Sequence, residues 1–154
     1  MRTRLVATAV AALAAITGAL VAAPAASATA DTAAQCERGA NGFADIPDWI
    51  TGDFVDVTVP GGLIIVQLQK GYINGVLRGW AKVQGPTTYG DLVWMDWTTN
   101  GGRTWLQCGP FEVNSPGGTK TSAAQRTNPS PSWQFRACGM VHGISSSTRC
   151  TAWW

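Results

Sequence analysis

Chemistry in this chain has few places to start. There is one histidine, His142, beside Gly143. A Ser-His-Asp triad would have to use it, yet no Gly-x-Ser-x-Gly nucleophile elbow is present. The expectation for His142 is therefore a solvated loop residue. Glycoside cleavage needs a carboxylate pair held at a set separation. The candidates are Asp53 with Asp56, and Asp91 with Asp96. Asp53 and Asp91 fall at turn signals, and Asp56 and Asp96 fall at alternating strand positions expected to face solvent. Gly117-Gly-Thr-Lys-Thr121 lacks the Gly-Lys-Ser/Thr order of a phosphate loop and follows no strand-to-helix pattern. No catalytic residue, cofactor or metal is assigned, and the chain reads as a non-enzyme.

The four cysteines, Cys36, Cys108, Cys138 and Cys150, contain no Cys-x-x-Cys. That spacing argues against a zinc knuckle or a thioredoxin-like site. An even number suits two disulfides, and four cysteines allow three connectivities. The expected pairing is Cys138–Cys150, closing a short local loop, with Cys36–Cys108 tying the N-terminal segment to the middle of a sheet.

Aromatic residues remain. The chain carries eight tryptophans, and all lie after residue 28. Trp80 shares a strand face with Arg78 and Lys82, and Trp94 shares one with Asp96 and Thr98. An indole among polar side chains can stack on a sugar ring while its neighbours bond the hydroxyls. Trp80, Trp94, Arg78 and Asp96 are thus the candidate ligand-binding residues. Trp105, Trp133 and Phe135 read as core. Of the terminal pair Trp153-Trp154, one ring is expected to pack near the Cys138–Cys150 link.

These residues need a scaffold, and the patterning supplies a β one. Arg2 and Arg4 precede the apolar run Leu5–Ala23, and Ala26-Ser-Ala28 matches a small-x-small cleavage site. Residues 1–28 read as a cleaved secretory signal, so the protein is expected outside the cell. Removing 28 of the 154 residues leaves 126, enough for one domain with a real core. Two of the eleven basic residues leave with the signal, and all nine acidic residues stay, so the remainder is neutral. A nucleic-acid partner needs clustered Lys and Arg, and here they are scattered. No membrane association is expected after signal removal, and a monomer is expected.

Residues 29–53 read as an extended segment with a short helical turn near Pro47. Residues 54–154 read as the β domain. Strands are expected at 54–59, 63–69, 76–84, 92–98, 104–108, 133–137 and 150–154, separated by Gly- and Pro-containing turns. Six to eight short strands without an internal repeat imply an antiparallel β-sandwich or small barrel. The stretch Asn114–Pro131, rich in Ser, Thr, Gly and Pro, reads as a long loop.

Thr98-Thr-Asn-Gly-Gly-Arg-Thr-Trp105 fits the Asp-box pattern Ser/Thr-x-Asp-x-Gly-x-Thr-Trp, with Asn100 in the aspartate position. Thr98 and Asn100 can bond turn amides, Gly102 can take positive φ, and Trp105 is expected to fold under the hairpin. In sialidases and other secreted β proteins this motif stabilises hairpins. Gly90-Asp-Leu-Val-Trp-Met-Asp-Trp97, Asn100–Trp105, Phe135-Arg-Ala-Cys-Gly139 and Cys150-Thr-Ala-Trp-Trp154 together resemble small secreted actinomycete proteins. That resemblance implies export and a β domain of unassigned function, and implies no activity. The resulting expectation is a binding module for glycan or cell-surface material. The alternative is an inhibitor of a foreign protein, acting through the 114–131 loop.

Overall fold

The computed structural model describes residues 36–154, so the signal-like segment lies outside the described residues. Ten strands form two antiparallel sheets packed as a sandwich. They are β1 (Phe43–Ala44), β2 (Asp53–Thr58), β3 (Ile65–Ile73), β4 (Val76–Gln84), β5 (Leu92–Thr98), β6 (Leu106–Glu112), β7 (Lys120–Thr121), β8 (Ala124–Arg126), β9 (Gln134–Met140) and β10 (Arg149–Cys150). The larger sheet runs β1-β8-β4-β3-β2, with β7 also paired to β4. The smaller runs β10-β9-β5-β6.

Alternation places the core between them. Val66 and Leu68 of β3 and Ala81 and Val83 of β4 meet Val93 and Met95 of β5 and Phe135 and Ala137 of β9. All eight are at most 1% exposed. At one end Trp97 meets Phe43 edge-on at 5.8 Å and Trp133 at 4.9 Å. Phe135 is buried as expected, and Trp133 is half-buried against the same cluster.

The β3–β4 hairpin turns on two residues, with Ile73 opposite Val76. Asn74 and Gly75 both have positive φ, 51° and 75°, as a tight hairpin turn of the primed type requires. Strand β3 therefore continues through Gly71 and Tyr72, where turn residues were expected.

Both disulfides have the expected connectivity, Cys36–Cys108 and Cys138–Cys150. They close sequence separations of 72 and 12 residues. Restricting the unfolded chain in this way contributes about 3–4 kcal/mol each.

Three short strands depart from the linear reading. Residues 114–131 are not one loop. Thr121, Ser122, Ala123, Ala124 and Gln125 are buried, and β7 and β8 join the larger sheet beside β4. Only the flanks of that stretch are exposed. The N-terminal segment is also integrated, because β1 pairs with β8. Its helical residues lie at Glu37–Gly42 as a 3-10 helix. Around Pro47 there is only a turn, closed by the Ile50 N–H donating to the Pro47 carbonyl at 3.0 Å.

The segment 45–52 then lies across the outer face of the larger sheet. Lys82 Nζ donates to the Ile50 carbonyl at 2.6 Å and the Thr51 hydroxyl at 2.9 Å, and the Gly52 N–H donates to Gln69 Oε1 at 3.1 Å. Burial lowers the Lys82 pKa, and the Asp48 carboxylate opposes that shift. Asp48 in turn accepts from the Thr121 N–H at 3.0 Å and pairs with Lys120 at 3.2 Å.

Candidate functional site

The four residues expected at a ligand site divide between the two sheets. Trp80 is 1% exposed. Its ring lies against Gly52 and Gly71, where a Cβ would collide with it. That contact removes Trp80 from any ligand. Arg78 is consumed as well, since its Nη1 donates to the Gly42 and Ala124 carbonyls at 2.8 and 3.1 Å. On this face the 45–52 segment lies over Trp80, while Arg78 is held by residues outside that segment.

Trp94 and Asp96 lie together on the outer face of β5 in the smaller sheet. Neighbouring strands complete a cluster. Across β9, Arg136 stands opposite Asp96, and across β6, Gln107 does. Arg136 Nε donates to Asp96 Oδ2 at 2.8 Å, and its Nη2 forms an ion pair with the same oxygen at 2.7 Å. Asp96 is buried, not solvent-facing as expected. Burial raises its pKa above the ordinary carboxylate value, while Arg136 and the Trp94 indole hold it down.

The arginine also organises two indoles. Its Cζ lies 4.8 Å from the Trp105 ring centroid and 4.5 Å from that of Trp153. The two rings meet edge-on with centroids 6.2 Å apart. A guanidinium that close to both sits in the notch between them, attracted by each ring's negative face.

The hairpin explains how Trp105 arrives there. The Thr98 hydroxyl donates to the Thr104 carbonyl at 2.6 Å and accepts from the N–H groups of Asn100 and Gly102 at 3.2 and 3.1 Å. Asn100 Oδ1 accepts from the Thr104 N–H at 3.0 Å, and Asn100 Nδ2 donates to the Thr104 hydroxyl at 2.8 Å. Gly101 and Gly102 supply the positive φ, 69° and 80°. Thr98, Asn100 and Gly102 thus act as expected, but Trp105 does not fold under the turn. It is 52% exposed. Trp153 approaches the hairpin at Gly102 instead. Trp105 and Arg136 are the site residues that sequence reasoning missed. The signal was available in alternation: Leu106 points inward, so Trp105 and Gln107 point outward.

Trp153 is delivered by the last residues. Thr151 donates its N–H to the Ala137 carbonyl at 2.9 Å, and Trp154 exchanges two backbone bonds of 2.9 Å with Phe135. The Cys138–Cys150 link anchors the same segment. Asp56 clasps it from the other sheet, with Oδ2 accepting from the Ala152 N–H at 2.9 Å. Trp154 stacks on Phe135 at 6.1 Å, and Lys70 lies 5.2 Å from its ring.

The remaining chemical candidates are engaged structurally. Asp91 is buried and accepts from the N–H groups of His142 and Thr88 at 2.9 and 2.7 Å. His142 is exposed, and its backbone, not its ring, meets Asp91. Asp96 and the sulfurs of Cys138 and Cys150 are close enough to share an ion, but the two sulfurs are bonded to each other. A shallow cleft of about 230 Å³ is lined by Asp48, Phe111, Lys120 and Thr121 among others. Its Asp48 and Lys120 neutralise each other.

Among the described residues no helix is long and apolar enough to cross a membrane. No protein-family model matches this chain, and neither a curated protein nor a solved structure shows significant similarity to it.

Proposed function

We propose that this chain is a secreted, non-enzymatic binding module for glycan or cell-surface material, and that it binds through the outer face of the smaller sheet. One observation carries the reading. Trp105 is half exposed, yet its ring is held by Arg136 and Trp153 on a disulfide-anchored sheet. A rigid indole loses little conformational entropy on binding and offers a flat apolar face to the C–H side of a sugar. Arg136 lies against that ring, and Gln107 and Trp94 stand on the same outer face with groups able to bond hydroxyls. Two disulfides suit an oxidising compartment, and the signal-like first 28 residues suit export.

Retention on insoluble polysaccharides, together with a glycan array, tests this reading. Trp105→Ala combined with Trp94→Ala is expected to abolish retention. Trp49→Ala, which removes an exposed indole from the 45–52 segment, is expected to leave it intact. Retention that survives the double substitution overturns the proposal.

A further inference from the structure

The site's arginine is fixed on several sides and open on one. Asp96 takes its Nε and Nη2, and the two indoles hold its plane. Nη1 makes no hydrogen bond within the protein among the described residues, and it is not among the buried polar atoms left without a partner. The Arg136 side chain keeps 23% of its surface exposed. One guanidinium edge therefore faces solvent beside the exposed Trp105 ring. Its orientation is set before any ligand arrives, so little rotamer freedom remains to be lost.

Resting on the glycan reading above, we infer that the ligand is an acidic polysaccharide: a uronic acid ring stacks on Trp105 while its carboxylate accepts from the Nη1 edge of Arg136. The charge count favours a single carboxylate. Asp96 and Arg136 cancel, so the pair is neutral overall and presents one donor edge; the other cation among the described strands of this sheet, Arg149 of β10, donates to the Ser146 and Thr148 carbonyls. A planar carboxylate fits a guanidinium edge with two parallel bonds. A neutral sugar would gain the stacking contact but would leave these donors to water. Exposed Arg103, in the hairpin preceding Trp105, adds positive potential for a repeating acidic chain.

The test alters the ligand before the protein. Binding of the purified protein to polygalacturonate is measured by calorimetry, beside the same polymer with its carboxyl groups reduced to alcohols. The expected result is binding to the acid form that weakens with added salt, with the reduced form about tenfold or more weaker. Arg136→Lys, which keeps the charge but not the fork, is expected to lose most of that discrimination. Equal binding of the two forms overturns the inference and leaves the glycan reading standing. So does retention on neutral polysaccharides with none on polygalacturonate, alginate or hyaluronan. If no polysaccharide of either kind is retained, both readings fall.

Discussion

Asp96 and Arg136 face each other directly across β5 and β9, and two guanidinium nitrogens converge on one carboxylate oxygen at 2.8 and 2.7 Å. The carboxylate is buried, and the arginine is mostly so. Removing one partner leaves an uncompensated charge, whereas replacing both with apolar groups does not. Arg136→Ala is therefore expected to cost about 3 kcal/mol. The pair Asp96→Leu with Arg136→Met is expected to cost far less than the single change. Urea unfolding of the full mutant cycle measures both, and additive costs would contradict the argument.

The same carboxylate sets a pH dependence. Burial raises the Asp96 pKa against the opposing pull of Arg136 and Trp94. The folded state then binds the proton more tightly than the unfolded chain, where aspartate titrates near about 3.9. This contribution to stability is complete below that value and is lost as pH rises through the higher folded value. Wild type is thus expected to lose stability relative to Asp96→Asn as pH rises from about 3.5 to neutrality. A constant difference across that range would show that Asp96 is not shifted upward.

Gly52 allows the 45–52 segment to lie on Trp80. A Cβ there would strike both the indole and the Lys70 carbonyl. Gly52→Ala is expected to destabilise the fold by about 2 kcal/mol, through overpacking. It should also lift the segment, exposing Trp80 and shifting tryptophan emission to the red. Unchanged emission and unchanged stability together would mean that the cover does not seal this face.

Reducing or removing Cys138–Cys150 should act on stability and on the site together. Cys138→Ser with Cys150→Ser is expected to cost about 3 kcal/mol. Because the link anchors the segment bearing Trp153, the Trp105–Trp153 contact should loosen as well. Near-ultraviolet circular dichroism reads that contact, and polysaccharide retention should fall with it. A stability loss with no change in the aromatic signal would separate the disulfide from the site.

In the hairpin, Asn100 both accepts and donates. Asn100→Ala removes both bonds to Thr104 and is expected to cost about 1–2 kcal/mol. Asn100→Asp keeps the acceptor for the Thr104 N–H and loses only the bond that Nδ2 donates, so its cost should be smaller. Thermal melts of the two variants give the order. An aspartate variant less stable than the alanine one would contradict these hydrogen bonds.

Much of the architecture was legible in the sequence because strands write it locally. Strands β4 and β5 begin and end where alternation and turn residues place them, and the Thr98–Gly102 turn uses the oxygens its spacing offers. The cysteine pairing followed from loop length and strand position. The β3–β4 turn was read too early, since Gly71 looked like a breaker. It is a strand glycine with Trp80 packed against it. The pieces β1, β7 and β8 carry two or three residues each, too few to show a period, and they pair with distant segments.

The candidate site divides along the same line. Alternation by itself determined that Trp94 and Asp96 share one face of β5, and that Trp80 and Arg78 share one face of β4. It could not say which of the two faces meets water. Segment 45–52, tethered through Lys82, buries Trp80 on the β4 face. The C-terminal segment, which follows β10 and is held by Cys150 and Asp56, brings Trp153 to the β5 face. Exposure is a property of what packs on a strand from elsewhere in the chain. Only the tertiary structure could therefore bury Trp80, expose Trp105 and place Arg136 between Asp96 and two indoles.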